Sequence, residues 1–343
     1  LGVQLGDIVS RRKLGLPDLS GKAVAIDCYN TLYQFLAIIR GVDGTPLMDR
    51  ERRVTSHLSG LLYRSSNLME NGARLVYVFD GEPPTLKEAE IKRRMGVKEE
   101  ALRRYEEALR TGKMEEARVY AQATSVVKDY MVDDAKRLLS LMGIPWVQAP
   151  SEGEAQAAHM AIRGDVWAAA SQDYDSLLFG APRLVRNVTI TGRRKLPRKS
   201  VYVEVEPEFV ELNQVLAELE LTREQLVDLG ILIGTDYNPQ GMKGVGPKTA
   251  LKLLRSHGSL ESVPEFKAGS LPVDLSRIRS IFLKPEVTSS YTIAWRPPDV
   301  EGVVAFLCGE RDFSEERVRK AMDKIAAGSK EMRSKTTLEK WFG

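Results

Sequence analysis

Apolar positions along this chain come in short unbroken runs that stop at an acid, separated by stretches with helical periodicity. Residues 21–27 and 75–81 each read as a buried strand closing on a carboxylate, Asp27 in the first and Asp80 in the second. Between them the spacing changes to 3.6. It predicts a helix through Leu32–Leu36, a Gly/Pro loop at 41–46 and a second helix over 56–70. The alternation then resumes with an amphipathic helix over 132–141, a strand at 144–147 and an Ala-rich strand just before Ser171. Residues 184–191 and 201–205 read as strands flanking a basic run, and 226–234 as an apolar helix ending at Thr235-Asp236-Tyr237. Residues 272–291, 300–307 and 314–325 carry helical spacing with no evident chemistry, and 311–314 reads as the approach to the last of these helices. Strands alternating with helices predict an α/β fold around a central, mostly parallel sheet flanked by helices. Ligands bind such sheets beyond the carboxyl ends of the strands.

That rule gives the acids their interest. Asp27, Asp80 and the pair Asp173/Asp175 all follow predicted strands, and Glu152/Glu154 and Asp236 follow apolar lead-ins. Asp173 and Asp175, two apart, would leave an extended backbone on one side. Clustered carboxylates repel unless a cation sits between them, and oxygen-only donors suit hard ions such as Mg²⁺. Ser151-x-x-Glu154 also fits a capping box for a helix over 155–162, which needs no metal.

Composition adds little to this. The 343 residues are 43% hydrophobic, enough for a sizeable core, and 50 Lys+Arg against 47 Asp+Glu leave a net charge of only +3. Any nucleic-acid contact must therefore come from placement of charge. Cys28 and Cys308, far apart and without CxxC spacing, fit an intracellular protein with reduced thiols; no membrane span and no signal segment are expected.

Residues 82–130 are charged with helical spacing. Lys87 and Arg94, seven apart and so about 700° around a helix, share a face and could reach one phosphate, or be ordinary surface cations. Arg193, Arg194 and Lys195 belong to a cationic run at a predicted hairpin tip, suited to a phosphate backbone or to solubility. The stretch 241–250, with Gly244, Gly246, Pro247 and Lys248, combines a glycine turn, a helix start and a cation. That is a helix-hairpin-helix pattern able to hold duplex backbone without reading sequence. At the end of the chain Leu338, Trp341 and Phe342 stand at helical spacing, fit for one helical turn in a partner's groove or for packing on the chain itself. A non-catalytic DNA-binding adaptor would not need the acids, and a small-molecule phosphohydrolase would not need the hairpin.

Taken in order, Ile26-Asp27, Val78-Phe79-Asp80-Gly81, Glu152-Gly153-Glu154-Ala155, Gln172-Asp173-Tyr174-Asp175, Gly234-Thr235-Asp236-Tyr237 and Gly244-Val245-Gly246-Pro247-Lys248 resemble the flap endonucleases. These are structure-specific 5′ nucleases of replication and repair. The resemblance covers essentially the whole chain and implies a PIN-like 5′ nuclease fold in a single domain over 1–328. Within it, 82–130 would be a helical arch, 226–258 the helix-hairpin-helix element, and 329–343 a tail.

It further implies Mg²⁺-dependent removal of 5′ flaps, with 5′–3′ exonuclease activity, by two-metal hydrolysis giving 5′-phosphate and 3′-hydroxyl ends. Asp27, Asp80, Glu152, Glu154, Asp173, Asp175 and Asp236 match the family's ligands for two Mg²⁺, with Mn²⁺ a substitute. Lys87 and Arg94 match the cations at the arch base, and Tyr33 an aromatic that stacks near the scissile nucleotide. Gly2 matches a glycine close to the metals, although Leu1 precedes it, and Thr55 falls in a pocket for a one-nucleotide 3′ flap. The Gly244–Lys248 turn would carry K⁺. Lys335, Leu338, Trp341 and Phe342 match the sliding-clamp box, with Lys335 where the family usually has Gln. The expected partners are branched DNA and the clamp, and the protein is expected to be a monomer. No Lys-rich tail follows, so an archaeal-type protein of the cytoplasm and nucleoid is expected, rather than a nuclear one.

Overall fold

The computed structural model describes residues 2–41, 44–190, 192–195, 202–264 and 274–342, without side chains at 109, 114, 118, 122, 192–195, 202–204 and 329–342. Nine strands are present among them: β1 (Arg12–Lys13), β2 (Ala23–Asp27), β3 (Arg74–Phe79), β4 (Trp146–Gln148), β5 (Ala168–Ala170), β6 (Arg183–Arg186), β7 (Gly192–Lys195), β8 (Tyr202–Val205) and β9 (Glu208–Glu211). Seven form one sheet in the order β1-β9-β6-β5-β2-β3-β4, while β7 and β8 make a separate hairpin. The five strands from β4 to β6 are parallel, and β9 and β1 close one edge antiparallel. This is the central, mostly parallel sheet flanked by helices that the strand–helix alternation of the sequence predicts.

Both sheet faces are buried, which is why β2 and β3 are apolar throughout. Val24, Ile26, Leu75, Tyr77 and Phe79 face one half of the core, and Ala25, Val76 and Val78 the other. The first half packs on α1 (Cys28–Ile38), α2 (Ser56–Glu70) and α5 (Asp129–Leu141). Between α2 and α5 the charged stretch forms a 3-10 turn at Thr85–Lys87, then α3 (Glu88–Arg110) and α4 (Met114–Ala123), which pack on each other. The second half packs on α6 (Gly153–Ile162), α7 (Asp175–Leu178), α8 (Leu212–Leu219), α9 (Arg223–Ile233) and α10 (Pro247–His257). The chain finishes with α11 (Leu275–Leu283), α12 (Val300–Val304) and α13 (Glu315–Phe342). Among the described residues no helix is long and apolar enough to cross a membrane.

Four expectations need correction. Residues 285–291 are not helical: Pro285 ends α11, and the chain runs on as an irregular strap to α12. Asp173 and Asp175 do not sit on an extended strand, because β5 stops at Ala170 and Asp175 already begins α7. Arg193, Arg194 and Lys195 lie in β7 itself rather than at a hairpin tip; their side chains, and residues 196–201, are outside the described residues. Ser151 does not cap α6. Glu152 is the N-cap residue, the Ser151 hydroxyl donates to the Glu82 carbonyl at 2.9 Å, and the Gly153 N–H is taken by Asp80 Oδ1 at 2.6 Å. The capping-box reading of Glu154 therefore falls.

Candidate active site

The strand order places the acids. β2 has β3 on one side and β5 on the other, so the chain reverses direction across the sheet at β2, and the carboxyl ends of β2, β3, β4 and β5 open on one crevice. Asp27 ends β2 and accepts the Asn30 N–H at 3.1 Å as the N-cap of α1. Asp80 follows β3, Glu152 and Glu154 follow β4, and Asp173 and Asp175 follow β5. Asp236 reaches the same place from the α9–α10 loop.

The electrostatics tie all seven together. Burial, then Asp80 and Asp173, push Asp27 well above the usual carboxylate range. Burial likewise raises Glu154, with added repulsion from Asp175, Asp27 and Asp173. Asp80 is pushed up to about 6, mainly by burial, against the Gly153 N–H and Lys87, which pull it down. Asp175 is pushed up to about 7 by burial and by Asp173, although the Val3 N–H at 2.7 Å and Lys87 favour its charged form.

Two cations face this crevice. Lys87 Nζ pairs with Glu152 and, at 3.2 Å, with Asp236 Oδ2; burial opposes its charge, but Glu152 and Asp236 outweigh burial and raise its pKa. Arg94 pairs with Asp236 and donates from Nε to Glu90 at 2.7 Å. Glu90 is itself buried and accepts from Arg93 as well, which holds its pKa down at about 2. The Tyr33 ring faces α3, which also carries Arg94, with Lys98 Nζ 4.2 Å from its centroid.

The donor set is all oxygen, crowded and short of positive charge, which fits hard divalent cations. Among the described residues no three acids already close on a single point as a finished cage; Glu152 and Asp236 turn to the cations instead.

Glycines line the crevice where nothing larger fits. A Cβ on Gly2 would stand 2.7 Å from both Asp173 Cβ and Asp175 Oδ1, and one on Gly153 would stand 2.6 Å from Asp80 Oδ1. Sequence reasoning missed Gly153, Asn30, Ser171 and Tyr237. The Ser171 hydroxyl donates to Glu154, and the Tyr237 hydroxyl to Glu152. Their signal was adjacency to the acids, which does not reveal direction.

The remaining candidates lie elsewhere. Gly244 turns with φ 80° and Gly246 is the N-cap residue of α10, with Lys243, Lys248 and both glycines exposed or half-buried. Asn238 braces the same loop: Thr235 donates to Asn238 Oδ1 from its backbone N–H (3.2 Å) and its hydroxyl (2.7 Å), and Asn238 Nδ2 donates to the Ile231 carbonyl at 2.7 Å. Thr55 is buried at the start of α2; a separate cleft of about 300 Å³ is lined by Arg50, Arg53 and Arg311 together with Glu51, Glu310 and Asp312, and its arginines are paired with acids. Lys335, Leu338, Trp341 and Phe342 fall in α13, whose backbone passes residue 328 without a break, in place of one separate helical turn. Their side chains are outside the described residues.

Comparison with known proteins agrees with this geometry. Residues 2–101 match the XPG N-terminal domain and residues 143–236 the XPG I-region. Flap endonuclease 1 of Pyrococcus furiosus is 56% identical over 342 residues, spanning 100% of this chain and 99% of its own. That of Ignicoccus hospitalis is 57% identical over 338 residues, spanning 97% and 95%. The solved flap endonuclease-1 from Methanococcus jannaschii superposes with a TM-score of 0.75 at 45% identity, covering 95% of this chain and 98% of that one. With its mostly parallel sheet and more than half its residues shared with relatives that it matches over nearly their whole length, this chain belongs to the flap endonuclease family.

Proposed function

We propose that the protein is a structure-specific endonuclease that removes 5′ flaps from branched duplex DNA, leaving 5′-phosphate and 3′-hydroxyl ends, in Okazaki fragment maturation and repair. The observation that carries this reading is the crevice itself: seven carboxylates from separate stretches of chain meet at one end of the sheet, opposite two cations.

In this reading Asp27, Asp80, Glu152, Glu154, Asp173, Asp175 and Asp236 hold two Mg²⁺, with Mn²⁺ as a substitute. Bound divalent ions supply charge to the scissile phosphate and lower the pKa of an attacking water. Lys87 and Arg94 offset the crevice's negative charge, so that a phosphodiester can approach, and stabilise charge as it develops on the phosphate. Tyr33 stacks on the nucleotide beside the cut, and Gly2 leaves room for the Asp173 and Asp175 carboxylates. The flap passes the arch of α3 and α4 (82–130) while the Gly244–Lys248 turn of the 226–258 element, with K⁺, grips duplex backbone. Arg193, Arg194 and Lys195 add backbone contacts. Thr55 lies in a pocket that takes a one-nucleotide 3′ flap. The protein works as a monomer with one nuclease domain over 1–328, and residues 329–343 dock on a sliding clamp through Lys335, Leu338, Trp341 and Phe342.

A time course on a double-flap substrate, with and without Mg²⁺ and with the cut position mapped, tests this reading. Asp173→Asn should nearly abolish cleavage and keep flap binding within about twofold, because the duplex grip lies on another element. Cleavage at the wild-type rate in that variant would overturn the site.

A further inference from the structure

Asp173 is held from behind by a directed chain of hydrogen bonds that the proposed chemistry does not use. Asn30 lies in the first turn of α1, and its Nδ2 donates to Asp173 Oδ2 at 3.0 Å. Asn30 Oδ1 accepts from Gln34 Nε2 at 2.5 Å, one helical turn further on. Gln34 Oε1 accepts in turn from the Thr189 hydroxyl at 3.1 Å, beyond β6, and Thr189 is buried.

The polarity of this chain is fixed from the acid end. A carboxylate oxygen offers only lone pairs, so Asn30 must present its NH₂ to Asp173 and its carbonyl to Gln34. Gln34 must then donate to Asn30 and accept from Thr189. Neither amide can turn over without setting oxygen against oxygen. The space beside the chain, between Ile26, Ala170 and Val188, is a cavity of only about 10 Å³, which leaves the amides little room to move.

We propose that Asn30 is a positioning residue for Asp173. It occupies one carboxylate oxygen so that the other faces the crevice, and Gln34 and Thr189 lock the amide in the orientation this needs. The inference rests on the proposed role of Asp173 as a metal ligand. Partners of this kind that orient a ligand typically contribute 10- to 100-fold in metal affinity.

The test is Mn²⁺ affinity by electron paramagnetic resonance of the free ion, with melting temperature as the check on folding, in Asn30→Ala, Gln34→Glu, Gln34→Met and Asp173→Asn. Asn30→Ala should weaken Mn²⁺ binding about tenfold. Gln34→Glu is the discriminating variant. An ionised glutamate can only accept, so it removes the donor that holds the Asn30 carbonyl and competes with Asp173 for the single Asn30 NH₂. Mn²⁺ affinity should fall about as far as in Asn30→Ala, although an added negative charge alone would strengthen cation binding. Gln34→Met keeps the volume and leaves Asn30 free to go on donating, so its loss should be smaller.

Wild-type or tighter Mn²⁺ binding in Gln34→Glu, or unchanged affinity in Asn30→Ala alongside a loss in Asp173→Asn, would overturn the proposal. Retained affinity in Asp173→Asn would instead overturn the metal-site reading on which the proposal stands.

Discussion

A single methyl group is enough to disturb this crevice. A Cβ at Gly2 would stand within 2.7 Å of two different acids, one of which, Asp175, also accepts from the Val3 N–H. Gly2→Ala must therefore push either the N-terminal segment or the two carboxylates aside, at a cost of about 1–3 kcal/mol for overpacking. The expected outcome is a single-turnover cleavage rate lowered more than about tenfold with flap affinity nearly unchanged, since the strain falls on the acids and not on the Gly244–Lys248 turn proposed to hold duplex. An unaltered rate would show that the acids tolerate the shift. Residues like these differ in how far the sequence reveals them. Asp27 and Asp80 were legible because an apolar run stops at each. Asn30 was not, because its partner Asp173 is 143 positions away and only the fold brings them together.

At the scale of elements, the α9–α10 connection was the most legible, since its glycines, proline and lysine each have a local physical reason. Gly244 takes φ 80°, a region that β-branched residues avoid. Gly244→Val should cost about 1–2 kcal/mol locally and weaken duplex binding, with Mn²⁺ affinity retained. Lys248→Ala should keep the turn and reduce the slope of log affinity against log salt by about one, read by fluorescence anisotropy. The strap after α11 was less legible. Its apolar residues, such as Trp295, whose Nε1 donates to the Leu75 carbonyl, are spaced to meet the sheet and not to form a helical face. The capping box before α6 misled because the Ser151 hydroxyl turns to the Glu82 carbonyl and Asp80, which follows β3, takes the Gly153 N–H.

At the scale of the whole molecule, buried titratable groups give stability two opposing pH dependences. Asp80 and Asp175 keep their protons in the folded chain up to about 6 and about 7, against an ordinary 3.8. Their contribution is full below about pH 4 and drains away as pH rises through 6 and 7, each proton accounting for at most roughly 1.4 kcal/mol for every pH unit crossed. His57 acts the other way. Burial, then Arg311, holds its pKa at about 3 against 6.5, so the unfolded chain takes a proton that the fold refuses, and its contribution is lost as pH falls from 6.5 toward 3. Calorimetry in EDTA should therefore find the melting temperature falling from pH 6 to pH 8, and Asp175→Asn should flatten that decline. An equally steep decline in the variant would remove Asp175 as its source. Finally, Asp236 and Gly244 share one short connection, stiffened where Asn238 ties Thr235 to the Ile231 carbonyl. If one end of that connection grips the double helix and the other touches the bond to be broken, the spacing between grip and scission is built into the backbone like a ruler. The enzyme would then measure its incision from the fork, whatever the length of the strand it discards.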